Sequence, residues 1–160
     1  MASATQTSAL DFGTATAPAS VSRSVTLGSG TGAGKADRIF HDRRLLNASG
    51  TEDLDLAGAL VDAFGATITF ARIKGLVVTA ATANTNSVVI GAASTNAWAT
   101  LLNVTGTITL RPGAAVALMA GAADVTAYGV TASTGDLLKI ANSGAGSSVS
   151  YDIVIIGASA

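Results

Sequence analysis

The sequence predicts an all-β domain: an antiparallel β-sandwich, jelly-roll-like by its strand spacing, led by an extended N-terminal arm. Three observations carry this. Turn signals recur about every 8–12 residues once the chain passes residue 55. The runs between them are rich in Val, Ile and Thr, which suit a pleated surface. Aromatics are only 4% of a chain whose hydrophobic share is 49%, and small or β-branched side chains fill thin stacked sheets better than a bulky core. With 160 residues the chain suits one domain, able to bury about 68–70% of its unfolded surface.

The elements follow in order. Residues 1–35 form the arm, built of Ala, Ser, Thr and Gly; after Met1, Leu10 and Phe12 are its only bulky apolar residues before Val21. Val21–Leu27 alternates apolar or Arg with Ser and Thr, which predicts a strand. Gly28-Ser29-Gly30-Thr31-Gly32-Ala33-Gly34 reads as a flexible linker. Such a segment cannot bury enough apolar area alone to offset its ordering entropy. It is therefore either disordered in the free chain or ordered against a neighbour.

Residues 36–160 form the sandwich. Residues 36–55 concentrate charge of both signs (Asp37, Arg38, Asp42, Arg43, Arg44, Glu52, Asp53, Asp55, with His41), which predicts local pairing. Leu56, Leu60 and Phe64 stand at helical spacing, but Gly58 and the Leu54/Leu56 alternation predict a strand and a bend. Further strands are predicted at Thr67–Ala80, Ser87–Ala92, Thr105–Leu110, Ala115–Met119, Val125–Thr131, Leu137–Ala141 and Ser148–Ile156. In the first of these, Ile68 and Phe70 share a face opposite Thr67 and Thr69. Arg111-Pro112-Gly113 predicts a turn, because Pro presets φ and Gly accepts φ > 0. Asn142–Ser147 predicts a hairpin loop joining the last two strands. Tyr151–Ile156 is nearly continuous hydrophobe, as in a central strand buried on both faces.

Charge is the most unusual feature. From Leu56 to the C-terminus only eight side chains are charged: Asp62, Arg72, Lys74, Arg111, Asp124, Asp136, Lys139 and Asp152. An ordinary soluble domain has about a quarter of its residues charged. A monomer needs surface charge to stay apart from its neighbours. The sequence thus predicts that other protein covers much of this surface. The net charge of −1 supplies no field for nucleic acid. The absence of cysteine excludes disulfides and thiolate metal sites. The mean hydropathy of +0.51 comes largely from Ala, and with no run of about 18 apolar residues a membrane span is not expected. The N-terminus lacks a basic and an apolar signal region, so synthesis in the cytoplasm is expected. Asn47-Ala48-Ser49 and Asn103-Val104-Thr105 match the glycosylation triplet, which arises readily by chance in so Ser/Thr-rich a chain.

Motifs for chemistry are sparse. Gly28–Lys35 resembles a phosphate loop, but Ser29 replaces the required first Gly and Ala36 the Mg²⁺-binding Ser or Thr. Asp53 and Asp55 share a strand face, with Leu54 and Leu56 toward the core; they are a weak Ca²⁺ candidate with carbonyl help. Carboxyls so spaced also occur in glycoside hydrolysis, but the sugar-stacking aromatics are few. His41 is the single histidine, and no Gly-x-Ser-x-Gly elbow accompanies it. No catalytic residue, cofactor or metal is therefore expected. Arg38, Arg43 and Arg44 suit interface ion pairs with carboxylates, local or on a neighbour. Trp98 fits an interface anchor, a sugar platform or plain core packing. Leu10, Phe12, Arg23, Arg38, Arg43, Arg44 and Trp98 are the expected assembly contacts.

The motif order carries a resemblance. A Ser/Thr/Ala arm leads into Ala36-Asp37-Arg38-Ile39-Phe40, then Asp53-Leu54-Asp55-Leu56-Ala57-Gly58 and Phe70-Ala71-Arg72-Ile73-Lys74-Gly75-Leu76. Arg111-Pro112-Gly113 and Tyr151-Asp152-Ile153-Val154-Ile155-Ile156-Gly157 follow. Over residues 36–157 this resembles the small virion structural proteins of tailed bacteriophages, of the head-decoration or cement type. The resemblance implies a non-enzymatic β-sandwich or barrel on the capsid surface, often trimeric, clamping the major capsid protein. It implies neither nucleic acid nor membrane as partner. Two rival readings are a tail- or fibre-associated carbohydrate-binding module using Trp98, Tyr128 and Asp53/Asp55, and a cell-wall hydrolase.

Overall fold

A computed structural model describes residues 1–11 and 13–160, with the backbone alone at Leu10. In chain order the strands are Ala2–Leu10 (β1), Gly13–Val21 (β2), Gly28–Ser29 (β3), Lys35–Ala36 (β4), Arg38–Leu46 (β5), Thr51–Asp55 (β6), Arg72–Ala80 (β7), Val88–Gly91 (β8), Thr107–Leu110 (β9), Ala115–Met119 (β10), Tyr128–Gly129 (β11), Leu137–Asn142 (β12) and Val149–Ala158 (β13). Among the described residues there is no helix.

One antiparallel sheet runs β10-β7-β13-β5, with β11 also beside β7, and another runs β6-β12-β8-β9. The pairing is nested: β5 with β13, β6 with β12, β7 with β10 and β8 with β9. The eight strands thus double back on themselves like one long ribbon. Alternation then divides each strand. Phe40, Leu76, Val78, Ile153 and Ile155 point inward from the first sheet, Leu54, Val88, Ile90, Leu138 and Ile140 from the second, and all join one cluster. Two sheets sharing one core are consistent with a β-sandwich.

Local chemistry explains the connections. Gly113 has φ +77° and the Ala114 N–H donates to the Arg111 carbonyl at 2.9 Å, the type II turn that Pro112-Gly113 predicts. Leu54–Phe64 is strand and turn: Leu56 and Leu60 are buried while Phe64 stands in solvent on a loop whose N–H groups bond the Asp62 carboxylate. Ile68 and Phe70 are buried and Thr67 and Thr69 exposed, as the alternation predicts, although the β7 ladder begins only at Arg72.

Several expectations are corrected. Residues 22–27 form no strand; Val25 and Leu27 are instead half-buried at a groove shared with Ile39 and Ile156. Residues 28–36 are held by the chain's own body rather than by a neighbour. Gly28 N–H bonds the Gly34 carbonyl at 2.8 Å, and the buried Lys74 ammonium donates to the Thr31 and Gly32 carbonyls. The 125–131 strand shrinks to Tyr128–Gly129, because the Asp124 carboxylate takes the N–H groups of Thr126 and Ala127 into a turn. Asn142–Ser147 is no hairpin: it carries the chain from one sheet to the other. The Asn142 amide anchors that crossing on the Asn47 and Ser147 carbonyls, at 2.9 and 2.8 Å. β13 is central, but only one of its faces is buried; Asp152, Val154 and Ile156 are half-exposed on the other.

Candidate functional site

The outward side of the β10-β7-β13-β5 sheet is unusual. Register places Met119, Gly75, Ile156 and Ile39 in one row across it. The next row holds Ala117, Val77, Val154 and His41. A third ends the apolar run with Ala115, Thr79, Asp152 and Arg43. Ile39 is 56% exposed, Met119 44% and Val77 39%, so the face stays largely open, with Val25 and Leu27 reaching only its Ile39–Ile156 border. A contiguous exposed apolar patch of this kind marks an interaction surface.

Electrostatics leave the patch nearly neutral. Arg43 grips Asp152 across β5 and β13 with two hydrogen bonds of 2.6 and 3.0 Å. That grip holds the Asp152 carboxyl below its ordinary range. His41, beside Val154, is exposed.

The second unusual feature is the β1–β2 hairpin. It pairs from Ala2↔Val21 to Leu10↔Gly13, and every described side chain in it is exposed. Neither strand carries a charged residue.

The residues named from sequence fall in different places. Of Leu10 only the backbone is described, and Phe12 lies outside the described residues. Arg23 is exposed between the hairpin and β3. Arg38 pairs with Asp37 at 3.2 Å, and Arg44 lies 3.2 Å from Asp42, as the mixed charge predicts. The Arg44 Nε is nevertheless buried without an aligned acceptor. Its Nη1 donates to Glu52 at 2.6 Å, and Glu52 also accepts from the Tyr151 hydroxyl at 2.6 Å. Burial pushes the Tyr151 phenol well above its ordinary value, and Glu52 reinforces that. This network ties β5, β6 and β13 where the two sheets meet.

Trp98 is 5% exposed, donates from Nε1 to the Gly129 carbonyl at 2.8 Å and meets Tyr128 edge-on at 6.5 Å. It packs in the core, with no open ring face for a sugar or a partner. Asp53 faces Lys139 across β6 and β12, and Asp55 caps the Ala57 N–H at 2.8 Å. Among the described residues no three His, Cys, Asp or Glu side chains gather as a metal site. In the Gly28–Lys35 loop the Gly28, Gly30 and Lys35 N–H groups already bond the Gly34, Ala36 and Gly32 carbonyls, so these three are not turned to a phosphate. His41 lines a groove with Asp37, Arg38, Ile39 and Phe64. Burial pulls the Asp37 carboxyl upward; hydrogen bonds from Ser159, with Arg38 beside it, more than reverse this and leave it low.

Sequence reasoning missed the outward rows as a site, although a signal was there. Val154 and Ile156 occupy outward positions of β13, which is why the strand reads as buried on both faces. Glu52–Tyr151 and Lys74 had no such signal, since their partners are remote in sequence. No family model, curated protein or solved structure matches the chain.

Proposed function

We propose that this chain is a non-enzymatic virion structural protein that decorates and stabilises a bacteriophage capsid through multi-copy protein–protein contacts. The observation that carries the reading is the outer side of β13: a strand composed for burial on both faces is covered on one. The nested strand pairing supports a jelly-roll, an architecture shared by viral capsid and lectin domains. The buried Trp98 weighs against the lectin branch. The exposed hairpin supports the role of an arm. The motif order of residues 36–157 points to the tailed-phage particle, with the major capsid protein and further copies of the chain as partners. Many weak contacts then add by avidity to resist pressure or heat.

The test is binding to purified shells that lack the protein. Deleting residues 1–21 leaves the sandwich folded by circular dichroism and abolishes decoration seen by electron microscopy. A truncated chain that coats shells as fully as the intact one overturns the arm; an intact chain that leaves shells bare overturns the function.

A further inference from the structure

We propose that the β1–β2 hairpin of one copy docks on the outward face of the β10-β7-β13-β5 sheet of a second copy. This rests on the multi-copy reading above and names its contact. The register sorts the hairpin into two unlike faces. Ala2, Ala4, Ala15, Ala17, Ala19 and Val21 lie on one, interrupted by Gln6 and Ser8 toward the tip, while Ser3, Thr5, Thr7, Thr14, Thr16 and Ser20 lie on the other with Ala9 and Pro18. An isolated two-stranded hairpin is marginal in water, so the first face calls for a cover.

The sheet face has the matching chemistry. Its middle is Val77, Val154 and Ala117, and its one ion pair, Arg43–Asp152, is internally neutral. The uncharged strands of the hairpin meet no unpaired charge there, and its one acidic side chain, Asp11, stands at the turn. The hairpin does not take its own copy's face. Val25 and Leu27 hold the chain at the Ile39–Ile156 border, and beyond them the hairpin departs with its described side chains in solvent.

Area decides how many seats are needed. Two strands of nine residues present a face of about 300 Å², from about 3.4 Å per residue and about 4.8 Å between strands. One seat alone removes about 600 Å² in total, below a stable interface, whereas two copies exchanging hairpins remove about 1,200 Å², which reaches it. Exchange between copies covers both unpartnered features at once.

The test uses the purified full-length chain without particles. The chain has no cysteine, so Ala17→Cys and Val77→Cys, each on a separate chain, are mixed and oxidised. A disulfide-linked heterodimer is expected, and Thr16→Cys, on the opposite hairpin face, gives about tenfold less because its Cβ points away. In sedimentation, Ala17→Arg weakens self-association about a hundredfold, since it would bury an unpaired charge, while Thr16→Arg does not. Equal crosslinking from residues 16 and 17, or a wild-type chain that stays a single copy at about 100 µM, overturns the proposal. Self-association by this contact with shells left bare would overturn the decoration reading alone. A single-copy chain that still coats shells would overturn the exchange alone.

Discussion

Across β6 and β12 one outward row sets Asp53 opposite Lys139, and the next sets Thr51 opposite Ala141, with Val89 and Thr109 farther along the sheet. Across β7 and β13 the outward row sets Val77 opposite Val154, with Ala117 next on β10. Both faces obey the same alternation, and both back the same core. The pleat decides which residues point out; it does not decide what they are. The first face is composed for water and the second for protein. Removing about 600 Å² at one seat gains about 15 kcal/mol even if all of it were apolar, against association costs of about 4–15 kcal/mol. One such contact is marginal, which is the physical reason for copies.

The comparison can be broken or sharpened by substitution. The largest effect belongs to the shared interior. Ile153→Ala, 1% exposed, should lower stability by about 2–5 kcal/mol in chemical denaturation, and its outward neighbour Val154→Ala by less than about 1 kcal/mol. Equal losses would mean that the outward face is already covered within the chain. Next comes the contrast between faces. Val77→Glu should weaken self-association about a hundredfold, and Val89→Glu, outward on the Thr-lined sheet, should leave it unchanged. If both disrupt assembly equally, the two faces are not different in kind.

A smaller effect sits where the sheets meet. Tyr151→Phe removes the hydrogen bond to Glu52 and should reduce stability by about 1–2 kcal/mol. The pH dependence has a definite sign. The folded phenol keeps its proton above its ordinary value of 10.0. Stability from this group is therefore full below that pH and falls as pH rises past it, because only the unfolded chain ionises. Alkaline unfolding of the Phe variant should show a shallower loss; an identical curve would remove Tyr151 from the account. The smallest effect is Arg43→Gln. Its bond to Asp152 is exposed, and the melting temperature should barely move in moderate salt.

Much of the sandwich was legible because its signals are local. Ala115–Met119 is a strand over those residues, and Pro112-Gly113 makes the turn before it. The inward pairs Leu54/Leu56 and Ile68/Phe70 follow from period two alone. What escaped depends on partners far along the chain. Nothing in Asn142–Ser147 says that β12 and β13 belong to different sheets. Arg38–Asp37 and Arg44–Asp42 lie within two residues, whereas Arg43 finds Asp152 and Tyr151 finds Glu52 only through the fold. For Trp98, near Ser94, Thr95 and Asn96, the sequence leaves surface and core readings open; the Gly129 carbonyl that satisfies its indole makes the core position tolerable.

The nested ribbon has a kinetic side. β5 and β7 both wait for β13, which follows them by dozens of residues, before their sheet can close. Until then the edges of two long strands stay unpaired, and loop closure over most of the chain must precede the reward. Refolding should accordingly take milliseconds to seconds or longer, as in other all-β domains of high contact order, and stopped-flow fluorescence of Trp98 can time it. A chain truncated before Val149 should fail to close the sheet, because β13 alone bridges β5 and β7, so the outward face exists only once that single strand has docked.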